Sequence, residues 1–117
     1  MGRKRLPFVE EFKEKSIAGG TVILEIAIPE YRSSTAITFI NTWNDISAST
    51  SVRIKFGPLT SEKEIDYVED PQIGERITWW KVPLFVIDGY KLFIEWAGVS
   101  AGDTVTAVVV GWREEVE

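Results

Sequence analysis

The chain has 117 residues, of which 44% are hydrophobic and 26% are charged. This length fits one domain with one core, and this balance is typical of an ordered globular protein. Cysteine and histidine are both absent, which excludes disulfides, thiolate chemistry, the commonest metal ligand and the commonest general base. The formal net charge of −5 argues against general nucleic-acid binding, because that function requires a basic surface.

No export signal and no membrane span are expected. The basic start at residues 3–5 is followed by Pro7 and by Glu10-Glu11, which interrupt any apolar signal core. No apolar run approaches the ~20 residues that cross a bilayer. We therefore expect a cytoplasmic protein, unless it belongs to a particle. Asn and Gln are scarce while Glu, Lys, Arg, Ile and Val are plentiful, a balance that suits a thermophile.

Residues 1–20 differ from the rest and predict an N-terminal arm or a short helix. Pro7 suits the first turn of a helix, and Phe8 and Phe12 would then share one side. Such a short helix is marginal without tertiary support. Two interpretations stay open: a loosely ordered terminus, or an arm that lays Phe8 and Phe12 on a neighbouring subunit.

From residue 21 to residue 112 the apolar residues alternate with a period of two, as in half-buried strands. In one of these strands Ile37, Phe39 and Trp43 are expected to share a face. The pattern predicts an all-β fold: a single antiparallel β-sandwich or jelly-roll-like domain over residues 21–112. We expect residues 59–76 to be a long irregular segment, and residues 113–117 to be a charged tail.

The strongest local signal is Asp88-Gly89, flanked on both sides by β-favouring apolar residues. It predicts a β-hairpin over residues 77–96, with Phe85 opposite Leu92. One face of that hairpin carries enough apolar residues to form the core. The opposite face is also largely apolar, and its apolar members are Trp80, Val82, Leu84, Val86 and Phe93.

A second apolar face on a small domain is typical of a contact surface. The last strand behaves similarly, since its second row contains Val108, Val110 and Trp112. We therefore expect a homo-oligomer, held by apolar burial. The alternatives are that the arm or residues 59–76 cover this face, or that the register is shifted by one. The predicted interface residues are Phe8, Phe12, Trp80, Val82, Leu84, Val86, Phe93 and Trp112.

The five tryptophans suggest an alternative function. Exposed aromatic side chains in a row bind sugars by stacking on the ring faces. A carbohydrate-binding module would use Trp79, Trp80 and Trp112. The competing interpretation places Trp43 and Trp96 in the core, and Trp80 and Trp112 in a protein interface.

No motif predicts an enzyme, a cofactor or a metal site. Residues 98–102 match the nucleophile elbow G-x-S-x-G, but that motif requires a strand-turn-helix context and a histidine base. A turn of small residues is the better interpretation. An acidic cluster could supply oxygen ligands to calcium, although a solvated charged loop is more typical. Its members are Glu62, Glu64, Asp66, Glu69 and Asp70.

A resemblance in pattern points to one class of protein. The run from Gly19 to Tyr31, then Ile40-Asn41, and the ending Ala101 to Ala107 resemble small β-sandwich accessory proteins of phage and archaeal-virus particles. Such proteins decorate capsids or sit in tails, commonly as trimers with an N-terminal arm that crosses between subunits. The resemblance implies a structural virion component whose partners are its own copies, or capsid or tail proteins.

Overall fold

The computed structural model describes residues 3–26, 33–58, 62–79, 84–86 and 90–116. These residues form strands and turns, with no helix among them. Two antiparallel sheets pack on each other, which confirms the predicted all-β sandwich. The strands are β1 (Arg3–Lys15), β2 (Gly20–Ile26), β3 (Ser33–Asn44), β4 (Ser51–Pro58), β5 (Lys63–Glu69), β6 (Ile77–Thr78), β7 (Leu84–Val86), β8 (Tyr90–Val99) and β9 (Thr104–Val116).

One sheet has five strands in the order β1-β9-β3-β6, and β7 also pairs with β3. The other has four strands in the order β2-β8-β4-β5. Each inner face contributes a buried row with period two, such as Val22, Leu24 and Ile26 on β2. The facing row on the central strand β9 is Val105, Ala107 and Val109, all fully buried.

The N-terminal segment is a strand, so the predicted short helix is wrong. β1 pairs with β9 over its whole length, from Arg3 opposite Val116 to Lys15 opposite Thr104. Backbone pairing over 13 residues outweighs a local helical tendency that is marginal by itself. Pro7 fits because β1 is an edge strand, where a missing backbone donor is tolerated. The predicted charged tail belongs, up to Val116, to β9.

The predicted hairpin over residues 77–96 is also wrong. β7 pairs with β3 in the five-stranded sheet, whereas β8 lies between β2 and β4 in the other sheet. Asp88-Gly89 lies outside the described residues. The dipeptide is a good turn signal, but a turn signal carries no information about which strands pair beyond it. The predicted two faces of this hairpin are therefore wrong as well, because they assumed that the two strands pair with each other.

Two further local expectations are corrected. The register between β3 and β9 shifts between Ile37 and Phe39, which leaves Thr38 as the extra residue of a β-bulge. Ile37 is therefore fully buried while Phe39 is 38% exposed, and the two do not share a face. Residues 59–76 are not wholly irregular, since β5 pairs with β4 along one edge.

The end of β8 gives a test of the packing near the turn into β9. Gly98 has a φ of +69°, and a Cβ there would lie 2.9 Å from the Cβ of Thr50 and 3.0 Å from its backbone nitrogen. Gly98→Ala is expected to lower the free energy of unfolding by about 2–4 kcal/mol, through left-handed strain and overpacking.

Gly102 is the matched control for this substitution. Its φ is +90°, but a Cβ there would meet nothing within 4 Å. Gly102→Ala should therefore cost only the backbone strain of about 1–2 kcal/mol. Urea unfolding followed by tryptophan fluorescence measures both variants. Equal losses in the two variants would contradict the close approach of Thr50 to Gly98.

Candidate functional site

The outward face of the four-stranded sheet carries several ion pairs, with Ile23 on β2 and Tyr67 on β5 exposed among them. Phe93 lies on this face between Glu25 on β2 and Lys55 on β4. The Lys91 Nζ binds Glu25 Oε1, and the Lys55 Nζ lies 2.8 Å from Glu95 Oε2. Phe93 is only 6% exposed, because the stems of such long side chains cover apolar surface. The expectation that Phe93 lies exposed in a contact surface is therefore wrong for the isolated chain.

The outward face of the five-stranded sheet is different. Paired residues share a face, so Val9 on β1, Val110 on β9 and Phe39 on β3 form one row across three strands. Val9 is 68% and Phe39 38% exposed. Val108 and Trp112 flank Val110 on the same face of β9, and all three are half-buried. We call Val9, Phe39, Val108, Val110 and Trp112 the outer strip.

The outer strip contains no charged residue, and its rim holds an ion pair on one side and an arginine on the other. The outward positions of β9 from 106 to 112, and those of β3 from 39 to 43, hold no charged residue. On β1 the Lys13 Nζ lies 3.5 Å from Glu11 Oε1, so these two charges offset each other. At the other side the Arg76 guanidinium stacks 3.9 Å from the centre of the Trp43 ring. An apolar face with such a rim is suited to contact another surface.

The predicted interface residues are dispersed in the structure. Phe12 and Leu84 pack against the chain's own core, so they do not form the exposed surface that was expected. Trp112 belongs to the outer strip. Phe8 and Val86 are described only as backbone positions in β1 and β7. Trp80 and Val82 lie outside the described residues.

The tryptophans do not form the expected row of exposed rings. Trp79 is 2% exposed, and its indole Nε1 donates a hydrogen bond to Thr42 Oγ1 at 3.0 Å. It cannot stack on a sugar, so its assignment to a sugar-binding platform is wrong. Trp96 is fully buried, as expected for a core residue. Trp112 is half-buried, and Trp80 lies outside the described residues.

Sequence patterns missed part of the outer strip. The apolar second row of β9 was visible in the alternation of Val108, Val110 and Trp112. Phe39 was expected to share a face with Ile37, but the bulge at Thr38 reverses the alternation between them. Val9 was placed in a helical arm, because its local sequence carries a helix-start signal and no strand alternation.

A buried carboxylate organises the loops at one end of the sandwich. Asp103 is 1% exposed, and its Oδ2 accepts hydrogen bonds from Asn44 Nδ2 and Ser100 N, both at 3.0 Å, and from Ser47 Oγ. Its backbone oxygen accepts from Ser16 N at 2.7 Å. Residues from the β1–β2, β3–β4 and β8–β9 connections therefore meet at one residue. The turn of small residues predicted at 98–102 is observed only from Ser100 onward, since Gly98 and Val99 end β8, and it is part of this framework.

Burial alone would raise the pKa of Asp103, but the hydrogen bonds from Ser47, Asn44 and Ser100 outweigh it and hold the pKa below its ordinary value. The carboxylate is thus ionised and its Oδ2 is occupied by three donors. This arrangement is suited to holding loops in place.

Other kinds of site find little support in the part of the chain that is described. No group of three or more Asp and Glu side chains there could hold a metal ion. The acidic cluster is spread along β5 and its ends, and Glu64 pairs with Arg53 at 3.1 Å. No helix in the described ranges is long and apolar enough to cross a membrane.

No protein-family model, curated protein or solved structure matches this chain.

Asp103 gives a prediction about acid stability. A folded-state pKa below the unfolded value of about 3.9 contributes stability above that pH, and the contribution is lost as the pH falls through the folded pKa. Asp103→Asn is expected to lower the free energy of unfolding by about 1–3 kcal/mol at neutral pH, through weaker hydrogen bonds. The variant should also lose less further stability on acidification than the parent chain.

Urea unfolding at about pH 7 and about pH 3 measures both effects. Asp45→Asn is the matched control, since Asp45 is an exposed carboxylate in the adjoining loop. If Asp103→Asn and the parent chain lose stability in parallel on acidification, the carboxylate does not have the role described.

Proposed function

We propose that this protein is a non-enzymatic structural subunit that associates with further copies of itself through the outer strip. One observation carries the proposal: the two sheets differ in where their outward faces place charge. Ion pairs cross the four-stranded sheet, while the centre of the five-stranded sheet presents valine, phenylalanine and tryptophan without any charge. The resemblance to accessory proteins of virus particles extends this proposal to a role in a virion, with three copies as the favoured assembly.

The size of the face supports a second copy as the occupant. The three long strands β1, β9 and β3, spaced about 4.8 Å apart along 12 to 13 residues that rise about 3.3 Å each, present roughly 600 Å², to which the short strands β6 and β7 add. A stable protein interface buries about 800 Å² on each partner. Burial of the exposed apolar part contributes about 25 cal/mol per Å². The internal pairing of Lys13 with Glu11 lets two such faces approach without repulsion between like charges at this rim.

The sheet edge is less suited to association than the face. β1 is the outermost strand of the five-stranded sheet, so one of its sides lacks a neighbouring strand in the described ranges. Pro7 lies within this strand and lacks a backbone donor, and most residues of the strand are charged. Proline and charged residues on an edge strand oppose the addition of another strand. The contact is therefore proposed through the face of the sheet.

A glutamate in the outer strip should dissociate the oligomer. Val9→Glu and Phe39→Glu each place a charge at a position that tolerates water in the isolated chain, so the fold should persist. Each is expected to weaken self-association at least about tenfold, which corresponds to about 1.4 kcal/mol. Native mass spectrometry and sedimentation velocity over a range of concentrations measure the number of copies and its change.

Matched controls lie at the loop end of the molecule. Ile17 is 90% and Ile73 61% exposed. Ile17→Glu and Ile73→Glu therefore test whether a glutamate at an exposed apolar position outside the outer strip also weakens self-association. These controls should leave the oligomer intact. A strict monomer at high concentration would refute the proposal, and dissociation by the loop-end variants alone would place the contact elsewhere.

A further inference from the structure

A small cavity lies where the β3–β4 loop and residues 71–77 meet the core. Trp96, Ser49 and Val52 line it from the sandwich, and Pro71 and Ile77 close it from the other side. Its volume is about 10 Å³, which is close to the roughly 10–15 Å³ that a single water molecule requires. The space is too small for an organic ligand.

Two of the residues that line this cavity carry a buried polar group that has no hydrogen-bond partner among the described residues. Trp96 is fully buried and Ser49 is 6% exposed, and neither Trp96 Nε1 nor Ser49 Oγ makes a hydrogen bond. Buried polar groups almost always have a partner, and an unpaired one destabilises the folded state. Two such groups lining one cavity therefore indicate a shared partner that is not part of the chain.

We infer that one water molecule occupies this cavity and bridges Trp96 Nε1 to Ser49 Oγ. The indole N–H can only donate, whereas a hydroxyl can both donate and accept. A water molecule satisfies both, because it accepts the indole proton and exchanges a second hydrogen bond with the serine. Buried waters of this kind typically bond to polar groups that the protein leaves unsatisfied.

The position of the water gives it a structural role. Ser49 N donates to Pro71 O at 3.4 Å, and Gly74 N donates to Asn44 O at 2.7 Å, so the two connections already contact each other on this side. The bridge adds a link from the loop at Ser49 to the core strand β8 through Trp96. The water therefore completes the attachment of residues 70–77 to the sandwich.

The contrast between the two buried indoles supports the inference. Trp79 donates to Thr42 Oγ1 at 3.0 Å, so its environment provides a partner from the chain itself. Trp96 is equally well buried, but its Nε1 has no such partner among the described residues, and the residue lines the cavity. The indole N–H of Trp79 is thus satisfied by a side chain, whereas the indole N–H of Trp96 requires water.

A crystal structure of the full chain at high resolution tests the inference directly. We expect one discrete density peak within hydrogen-bonding distance of both Trp96 Nε1 and Ser49 Oγ, and no such peak beside Trp79 Nε1. An empty cavity in a map that resolves other buried waters would overturn the inference. A direct hydrogen bond between Trp96 and Ser49 would overturn it equally.

Ser49→Ala gives a second test, because a bound water and an unpaired hydroxyl predict different changes in the equilibrium constant for unfolding. If Oγ binds the water, its removal should raise the equilibrium constant for unfolding about 2- to 10-fold, as for the loss of one hydrogen bond. If Oγ is unpaired, removing it should leave that constant unchanged or lower it, which overturns the inference. Ser100→Ala, at an exposed serine, is the matched control and should have little effect.

Discussion

The buried carboxylate of Asp103 is the interaction on which the loop end of this sandwich depends. Charge-assisted hydrogen bonds are stronger than neutral ones, and this carboxylate accepts them from Asn44, Ser47 and Ser100. β9 begins at the next residue and pairs with β1 on one side and β3 on the other. Asp103 thus sets where the central strand of the five-stranded sheet begins, while its backbone oxygen fixes the end of β1 through Ser16.

The outward faces of the two sheets differ in composition, although the strands of both sheets alternate inward and outward side chains. On the four-stranded sheet, lysine and glutamate pairs cover Phe93. On the five-stranded sheet the central strand carries valines on both faces, so one row fills the core and the other forms the outer strip. Exposed apolar residues scattered singly are ordinary, but a continuous row across three strands is not. This asymmetry is the basis for proposing a contact surface.

Local sequence patterns predicted which segments are strands better than they predicted which strands pair with each other. The alternation in Val22, Leu24 and Ile26 correctly predicted a core-facing strand, because side-chain direction in a strand follows from its backbone alone. The Asp88-Gly89 signal failed as a hairpin predictor, because β7 and β8 find their partners in different sheets. Phe39 was misplaced because one extra residue at Thr38 reverses the alternation, and no feature of the local sequence marks that bulge.

The sequence by itself determined the all-β class, the two-sided apolar character of the last strand and the absence of histidine and cysteine chemistry. These follow from composition and from a period of two, which are properties of single segments. Only the tertiary structure decided that residues 3–15 form an edge strand, that Trp79 is buried against Thr42, and that Val9, Val110 and Phe39 meet in one row. Each of these depends on pairing between residues distant in the chain, whose energy comes from contacts that no local window contains.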